Sequence, residues 1–268
     1  MSFIYHATTF LKVNRIGDTL LADCTLLSND TEAVAWIEAD VQTLKISRAG
    51  WANYRSSSKE TGIIDLPELI GVEAYITGGL ALKKVLGGSG QEIPYEMISE
   101  CFRGVLQAET FFFMERGFQS AKQYDDFCEQ NSIGACRFYS HLDLTEKQWT
   151  EWVDTTERSF NLFNRSKTVT IEQQQVNRTV TASFMDSFHH LGIQLEINQN
   201  GLVLSAHGNF INAPDPICYK NQEHLGKFIG MNLGQMSKKE IAVLAGCAEG
   251  CNHLVDLIYE IKKSLWRP

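Results

Sequence analysis

Two cysteines and a histidine fall within seven residues near the end of the chain, in "GCAEGCNHLVDL" (Gly246 to Leu257). Thiolate and imidazole are ligands for zinc or iron, and a thiolate can also carry sulfur or act as a nucleophile. Possible partners stand upstream: His189 and His190 in "SFHHLG", and Cys218 closing "APDPIC". His189, Cys218 and Cys251 are the expected metal ligands, with Asp186, His190, Cys247 and His253 in reserve. Of the chain's seven histidines, His189, His190, His207, His224 and His253 lie in its second half, which favours a site there.

Helix periodicity limits which of these residues can share a site. Leu254, Leu257, Ile258, Ile261 and Leu265 recur at helical spacing, and Cys251, three before Leu254, extends that stripe inward. His253 lies about 200° around an ideal helix from Cys251, so the pair can face one ion only if the helix starts after Cys251. Cys247 is four residues before Cys251, but Gly246 and Gly250 weaken continuous helix between them. A helix N-terminus would favour thiolate at Cys251. The plainer alternatives are a packed thiol at Cys251, a turn cysteine at Cys218 stiffened by two prolines, a satisfied cap residue at His253 and a surface or packing role for His207.

The elements that must position these residues follow from alternation. "DTLLADCTL" and "AWIEADVQTLKIS" in the first half, and "TVTASFM", "GIQLEIN" and "GLVLSAHGNF" in the second, alternate as half-buried antiparallel strands. "NQNG" (Asn198 to Gly201) marks a hairpin turn. Helical patterns follow in each half: "DLPELIGVEAY" and "YEMISECFRGVLQAETFFFMERGF", then "NQEHLGKFIGM" and "CNHLVDLIYEIKKSLW". The expected fold is α+β, a tandem repeat of two related units, each a small antiparallel sheet followed by covering helices. The units span residues 1–120 and 161–268, with a helical connector at 121–160 in which Trp149 and Trp152 share a face and Cys128 and Cys136 are structural.

"VNR" occurs at Val13 to Arg15 and again at Val176 to Arg178, an offset of 163 (176 − 13) that also sets Asp23 opposite Asp186. Gly50 stands opposite Gly208 at 158 (208 − 50). Under this alignment the first half lacks the ligands: Leu26 and Leu27 face His189 and His190, and Glu60 faces Cys218. Cys101 alone matches Cys251, on a stripe with Met97, Ile98 and Val105. The first half is therefore expected to be the degenerate copy.

The order of Asp186, His189-His190, "GIQLEIN", "APDPIC" and "GCNHLVDL" resembles an uncharacterised bacterial family catalogued as a domain of unknown function. Its pattern is Asp-x-x-His-Asp, then Pro-x-x-Cys, then Gly-Cys-x-His-Leu; His190 departs from the Asp of that pattern. The layout is also similar to NifU/IscU-type iron–sulfur scaffolds, where cysteines stand before a strand, after the sheet and at the start of a late helix. That likeness implies a site shared by His189, Cys218 and Cys251.

With 24 basic and 32 acidic residues the chain has a formal charge of −8, which argues against nucleic acid or anionic membrane as partners. No secretory signal or run of roughly 18 apolar residues is present, so a cytoplasmic location with reduced thiols is expected. A protein partner or homo-oligomer is compatible with this composition. "KKVLGGSGQ" lacks a phosphate-loop Lys-Ser/Thr, so no nucleotide cofactor is indicated. Three functions follow: a module holding zinc or iron or bearing a reactive thiol; an enzyme or small-molecule binder using Asp186, His189 and His190 as acid–base groups in a cleft between the repeats; or an interaction protein whose cysteines only pack.

Overall fold

The computed structural model describes residues 2–56, 61–88, 90–156 and 158–265. Glu60 and Ser89 of "LGGSGQ" lie outside the described residues. The fold is α+β with antiparallel strands: β1 (Ser2–Ile16), β2 (Thr19–Ser28), β3 (Thr31–Asp40), β4 (Ile46–Ser56), β5 (Gly62–Asp65), β6 (Asn161–Gln174), β7 (Asn177–Asp186), β8 (His190–Ile197) and β9 (Val203–Asn212); the expected run "AWIEADVQTLKIS" is broken by a turn after Asp40 into β3 and β4, and β1, β5 and β6 lie outside the expected runs. The helices are α1 (Gly78–Leu86), α2 (Glu92–Ala108), α3 (Ala121–Ser132), α4 (Arg137–Ser140), α5 (Trp149–Trp152), α6 (Pro216–Tyr219), α7 (Lys238–Ala245) and α8 (Asn252–Ser264).

The chain divides into two compact units. The N-terminal unit holds residues 8–121 and 155–166. The C-terminal unit holds the residues up to Ala7, residues 122–154, and those from Lys167 onward. Residues 122–154, expected as a connector, therefore cluster with the second half. Strand order is β5-β4-β3-β2-β1-β6 in the N-terminal unit and β1-β6-β7-β8-β9 in the C-terminal unit, β1 and β6 contributing one end to each.

Period-two patterning decides which face is buried. Leu191, Ile193, Leu195 and Ile197 of β8 all point into the C-terminal core, where α8 lays Leu254, Leu257, Ile258 and Ile261 against the sheet residues. Each such side chain contributes about 1.5–3 kcal/mol on full burial. The "NQNG" turn joins β8 to β9, with Gly201 at φ +85 and its amide bonded to the Asn198 carbonyl. Gly208 of β9 is required by close approach, since a Cβ there would lie 2.6 Å from the Gly192 carbonyl oxygen.

In the N-terminal unit α2 buries Met97, Ile98, Cys101 and Val105. Gly104 lets the helix settle on β1, because a Cβ would stand 2.7 Å from Leu11 Cδ2. Cys101 is fully packed, and burial pushes its thiol well above the ordinary range.

Several local expectations change. "DLPELIGVEAY" forms only a 3-10 turn at Pro67–Leu69, stopped before Gly71 at φ +80. Helix α2 ends at Ala108, and Phe111, Phe112 and Phe113 pack into the core from turns instead. "NQEHLGKFIGM" is a 3-10 segment over Lys220–Phe228. The two "VNR" triplets do not coincide: Val13 to Arg15 lie inside β1, whereas Val176 to Arg178 run from the turn into β7. Likewise Asp23 is interior to β2, while Asp186 closes β7; the residue closing β2 is Ser28.

Candidate functional site

The β7–β8 connection is only three residues long, and Asp186 organises it. Its Oδ1 accepts the backbone N–H of Phe188 at 2.9 Å and of His189 at 2.8 Å. The Asp186 amide in turn donates to the His189 carbonyl at 2.8 Å. This Asx-type turn puts the His189 ring beside the same carboxylate, with Nδ1 3.1 Å from Oδ1. A carboxylate only accepts, so the bond keeps the proton on Nδ1 and leaves Nε2 to offer the lone pair. The Asp186 side chain is wholly buried and that of His189 is 11% exposed.

His253 reaches the same place from α8. Helix α8 begins at Asn252, and Cys251 is its N-cap in extended conformation (φ −137, ψ 121). The helix thus starts after Cys251, the one arrangement that allows Cys251 and His253 to turn together: Cys251 Sγ lies 3.8 Å from His253 Nδ1. The His253 and His189 rings are adjacent, with centroids 4.1 Å apart. Ligand atoms of Asp186, His189 and His253 all lie within 4.8 Å of one another, the group of this kind among the described residues.

Aromatic side chains enclose the cluster. Phe184 packs 4.8 Å from His253, and Trp149 lies near-parallel to His189 at 6.5 Å while meeting Phe188 edge-on at 4.8 Å. Trp149 comes from α5 in the segment expected as a connector. That segment is fastened by buried carboxylates: Asp215 Oδ2 accepts the Glu146 amide at 2.9 Å and Trp152 Nε1 at 3.2 Å, and Asp125 accepts the Thr150 amide and hydroxyl. The Trp149/Trp152 spacing was visible in the sequence, but nothing there tied it to the site.

The expected ligand set divides. His189 joins Asp186 and His253, both reserve residues, while Cys218 and Cys251 stand outside that group. Both thiols are buried in the apolar core. Burial pushes each up to about 12, so the thiolate expected at the helix N-terminus is not the resting form of Cys251. Amide bonds from the first turn act the other way at Cys251, but loss of hydration outweighs them. His190 starts β8 opposite Met185, at a register shift. Cys247 is exposed at φ +58, its sulfur 3.8 Å from the Ala242 carbonyl. His207 is exposed on β9.

The approach to Cys251 is held rigidly. A Cβ on Gly250 would fall 2.2 Å from the Ala245 carbonyl oxygen, so only glycine fits where the chain turns back. Glu249 is clasped from two sides: its carbonyl accepts from Arg137 Nη2 at 2.7 Å and from His224 Nε2 at 2.6 Å, and its carboxylate meets His141 Nε2 at 2.7 Å. With Nε2 donating, Nδ1 of His224 is the bare nitrogen, buried with no hydrogen-bond partner. Burial lowers the His224 pKa from 6.5, with Lys227 and Arg137 adding to the effect. Below 6.5 the unfolded chain therefore binds the proton more readily than the folded one. The stability His224 confers is complete above that pH and is lost as pH falls through the lowered folded value. Urea midpoints taken from pH 7.5 down to 5 should decline, and the decline should be shallower in His224→Gln.

What fold and site define is an α+β protein with a part-buried carboxylate–imidazole–imidazole cluster at the ends of two strands and one helix. Residues 163–266 match the model of the family described as Protein of unknown function (DUF2889). Asp186, His189, Cys218, Cys251 and His253 all fall inside the matched span, whereas Trp149 lies outside it. No curated protein and no solved structure matches. No described helix is long and apolar enough to cross a membrane.

Proposed function

We propose that the chain is a metal-binding module whose ion, zinc or ferrous iron, is held by Asp186, His189 and His253. The observation behind this is the convergence of the three ligand atoms within 4.8 Å from two separate elements. Two imidazoles and one carboxylate suit zinc in a tetrahedral site with one open position, or ferrous iron with several. The Asx turn and the N-cap at Cys251 hold the ligands before any ion arrives, which lowers the ordering cost of binding. Of the three residues that the NifU/IscU layout implies, His189 alone belongs to this ligand group; Cys218 and Cys251 do not.

The two halves are, on this proposal, copies of one unit, the first serving as scaffold. At an offset of 158 the strand ends agree (186 − 28, 177 − 19), as do Gly208 and Gly50. Ser28 then takes the place of Asp186 and closes the same turn: its Oγ accepts the amides of Asp30 at 3.3 Å and Thr31 at 3.0 Å. Thr31 stands where His189 would be. The copy keeps the turn and lacks the ligands.

A cytoplasmic location fits seven cysteines that form no disulfide. A second function has its own support: the 3.1 Å Asp186–His189 bond is also the arrangement of an oriented acid–base pair, with the ion replaced by a small-molecule substrate.

Elemental analysis of protein purified without a histidine tag tests the metal proposal. About one equivalent of zinc or iron is expected in the wild type, and a large loss in His253→Ala. Wild-type protein that stays metal-free after dialysis against either ion would end the metal proposal and leave the acid–base pair.

A further inference from the structure

Strand register decides which side chains share a face of the N-terminal sheet. Leu20, Ala22 and Cys24 of β2 stand opposite Ala39, Ile37 and Ala35 of β3, all buried, and Cys101 of α2 sets its sulfur 3.7 Å from the Ala35 carbonyl oxygen. That face belongs to the helix. On the other face Asp23 pairs with Trp36, Trp36 with Gly50, Val34 with Ala52, and Ala52 with Ile63. Trp36 lies across Gly50, where a Cβ would run into its ring, so the middle of this face is flat. Phe10 and Lys12 of β1 join it, since the Leu11 and Val13 side chains that alternate with them meet α2 at Gly104. Phe10 is 42% exposed and Ile63 68%, so the face leaves large apolar side chains to water. Its charges come as cross-strand pairs: Glu38 with Arg48 at 3.3 Å, Glu32 with Arg55 at 4.0 Å, and Lys12 with Asp23 at 4.0 Å. Acid thus stands at both ends of β3 and base at both ends of β4, with Val34 and Trp36 between.

We infer that this face docks a second copy of the chain, sheet on sheet, about a two-fold axis that runs between β3 and β4 and parallel to them. Such an axis lays β3 of each copy over β4 of the other. Glu38 is level with Arg48 and Glu32 with Arg55. The rotation therefore sets each of these glutamates above an arginine of the second copy, and Val34 and Trp36 above Ala52 and Gly50. An apolar centre rimmed by charge is how stable interfaces are built, and two-fold contacts are the commonest kind. Each ion pair cancels its own charge, so two chains of formal charge −8 can meet here without added repulsion. A nucleic acid or a strongly charged protein would call for one sign of charge, which paired rows do not supply. Strands about 4.8 Å apart that rise about 3.3 Å per residue, with ten residues each in β2 and β3, give the face roughly 600–800 Å² over β1 to β5. A standard interface takes about 800 Å² from each partner.

Sedimentation equilibrium of the full chain is the test. The wild type should be a dimer at micromolar concentration. Glu38→Arg alone and Arg48→Glu alone should each weaken dimerisation by about 10-fold or more, because like charges then meet across the axis. Mixing the two variants should restore the dimer, since each chain then meets the opposite charge at both positions. If either variant misfolds, Ile63→Lys serves, at a side chain already open to water, and should also favour the monomer. Leu80→Lys, on α1 and 81% exposed, should leave the dimer unchanged. A monomeric wild type would overturn the inference and leave the face to a different partner. So would a dimer that survives in the folded Glu38→Arg and Ile63→Lys variants, or one that mixing the two charge variants fails to restore.

Discussion

Asp186→Asn is expected to leave the protein folded and to weaken zinc or iron binding by more than the roughly 10- to 100-fold typical of losing a group that only orients a metal-bound imidazole, because the proposed site loses its charged ligand. The amide oxygen of Asn can still accept the Phe188 and His189 N–H groups that Asp186 Oδ1 now takes. The negative charge beside His189 disappears. Asp186→Ala removes both functions, and two buried-side amides lose their acceptor at about 1–3 kcal/mol each. Asp186→Ser separates them in another way, since a serine hydroxyl can close such a turn, as Ser28 does between β2 and β3. Competitive zinc titration together with urea unfolding checks all three. Equal zinc affinity in wild type and Asp186→Asn would count against the proposed site.

Arg165→Ala should cost about 3–5 kcal/mol of stability, the usual penalty for leaving a buried charge without its partner. Arg165 on β6 and Glu100 on α2 are both buried, 3.3 Å apart, in the N-terminal unit. Arg103 also meets Glu100 at 2.8 Å, but from a side chain 41% exposed, so water screens its contribution. The double change Arg165→Met, Glu100→Gln should recover most of the loss, because it removes both desolvated charges together. Urea unfolding of both variants beside the wild type measures this. A single variant within about 1 kcal/mol of wild type would show that Glu100 is neutralised by other means.

Much of the fold was legible because strands and amphipathic helices write their burial into the sequence. Leu191, Ile193, Leu195 and Ile197 announce a half-buried strand, and Leu254, Leu257, Ile258 and Ile261 a covering helix, whatever lies opposite them. Helix ends were less legible. "DLPELIGVEAY" has helical spacing, yet Pro67 and Gly71 reduce it to one turn, and the run of phenylalanines after Ala108 packs from turns. The "VNR" match at an offset of 163 carried no structural equivalence, because one triplet lies inside β1 and the other runs from a turn into β7.

By itself the sequence determined the α+β class, the strands β2, β7, β8 and β9, the inward stripe of the last helix and the residue types capable of chemistry in the second half, while β1, β5 and β6 went unread. Only the tertiary structure decided their partners. Cys251 caps α8 and does not lie within it, so His253 turns toward His189 and Asp186, and Cys218 stands outside that cluster. Residues 122–154 pack into the C-terminal unit and bring Trp149 and Cys136 to positions that no spacing in the chain foretells. The physical reason is that periodicity records burial, which is a property of one element. A site is a meeting of side chains from several, fixed by caps, turns and a few buried hydrogen bonds such as those of Asp186, Asp215 and Arg137.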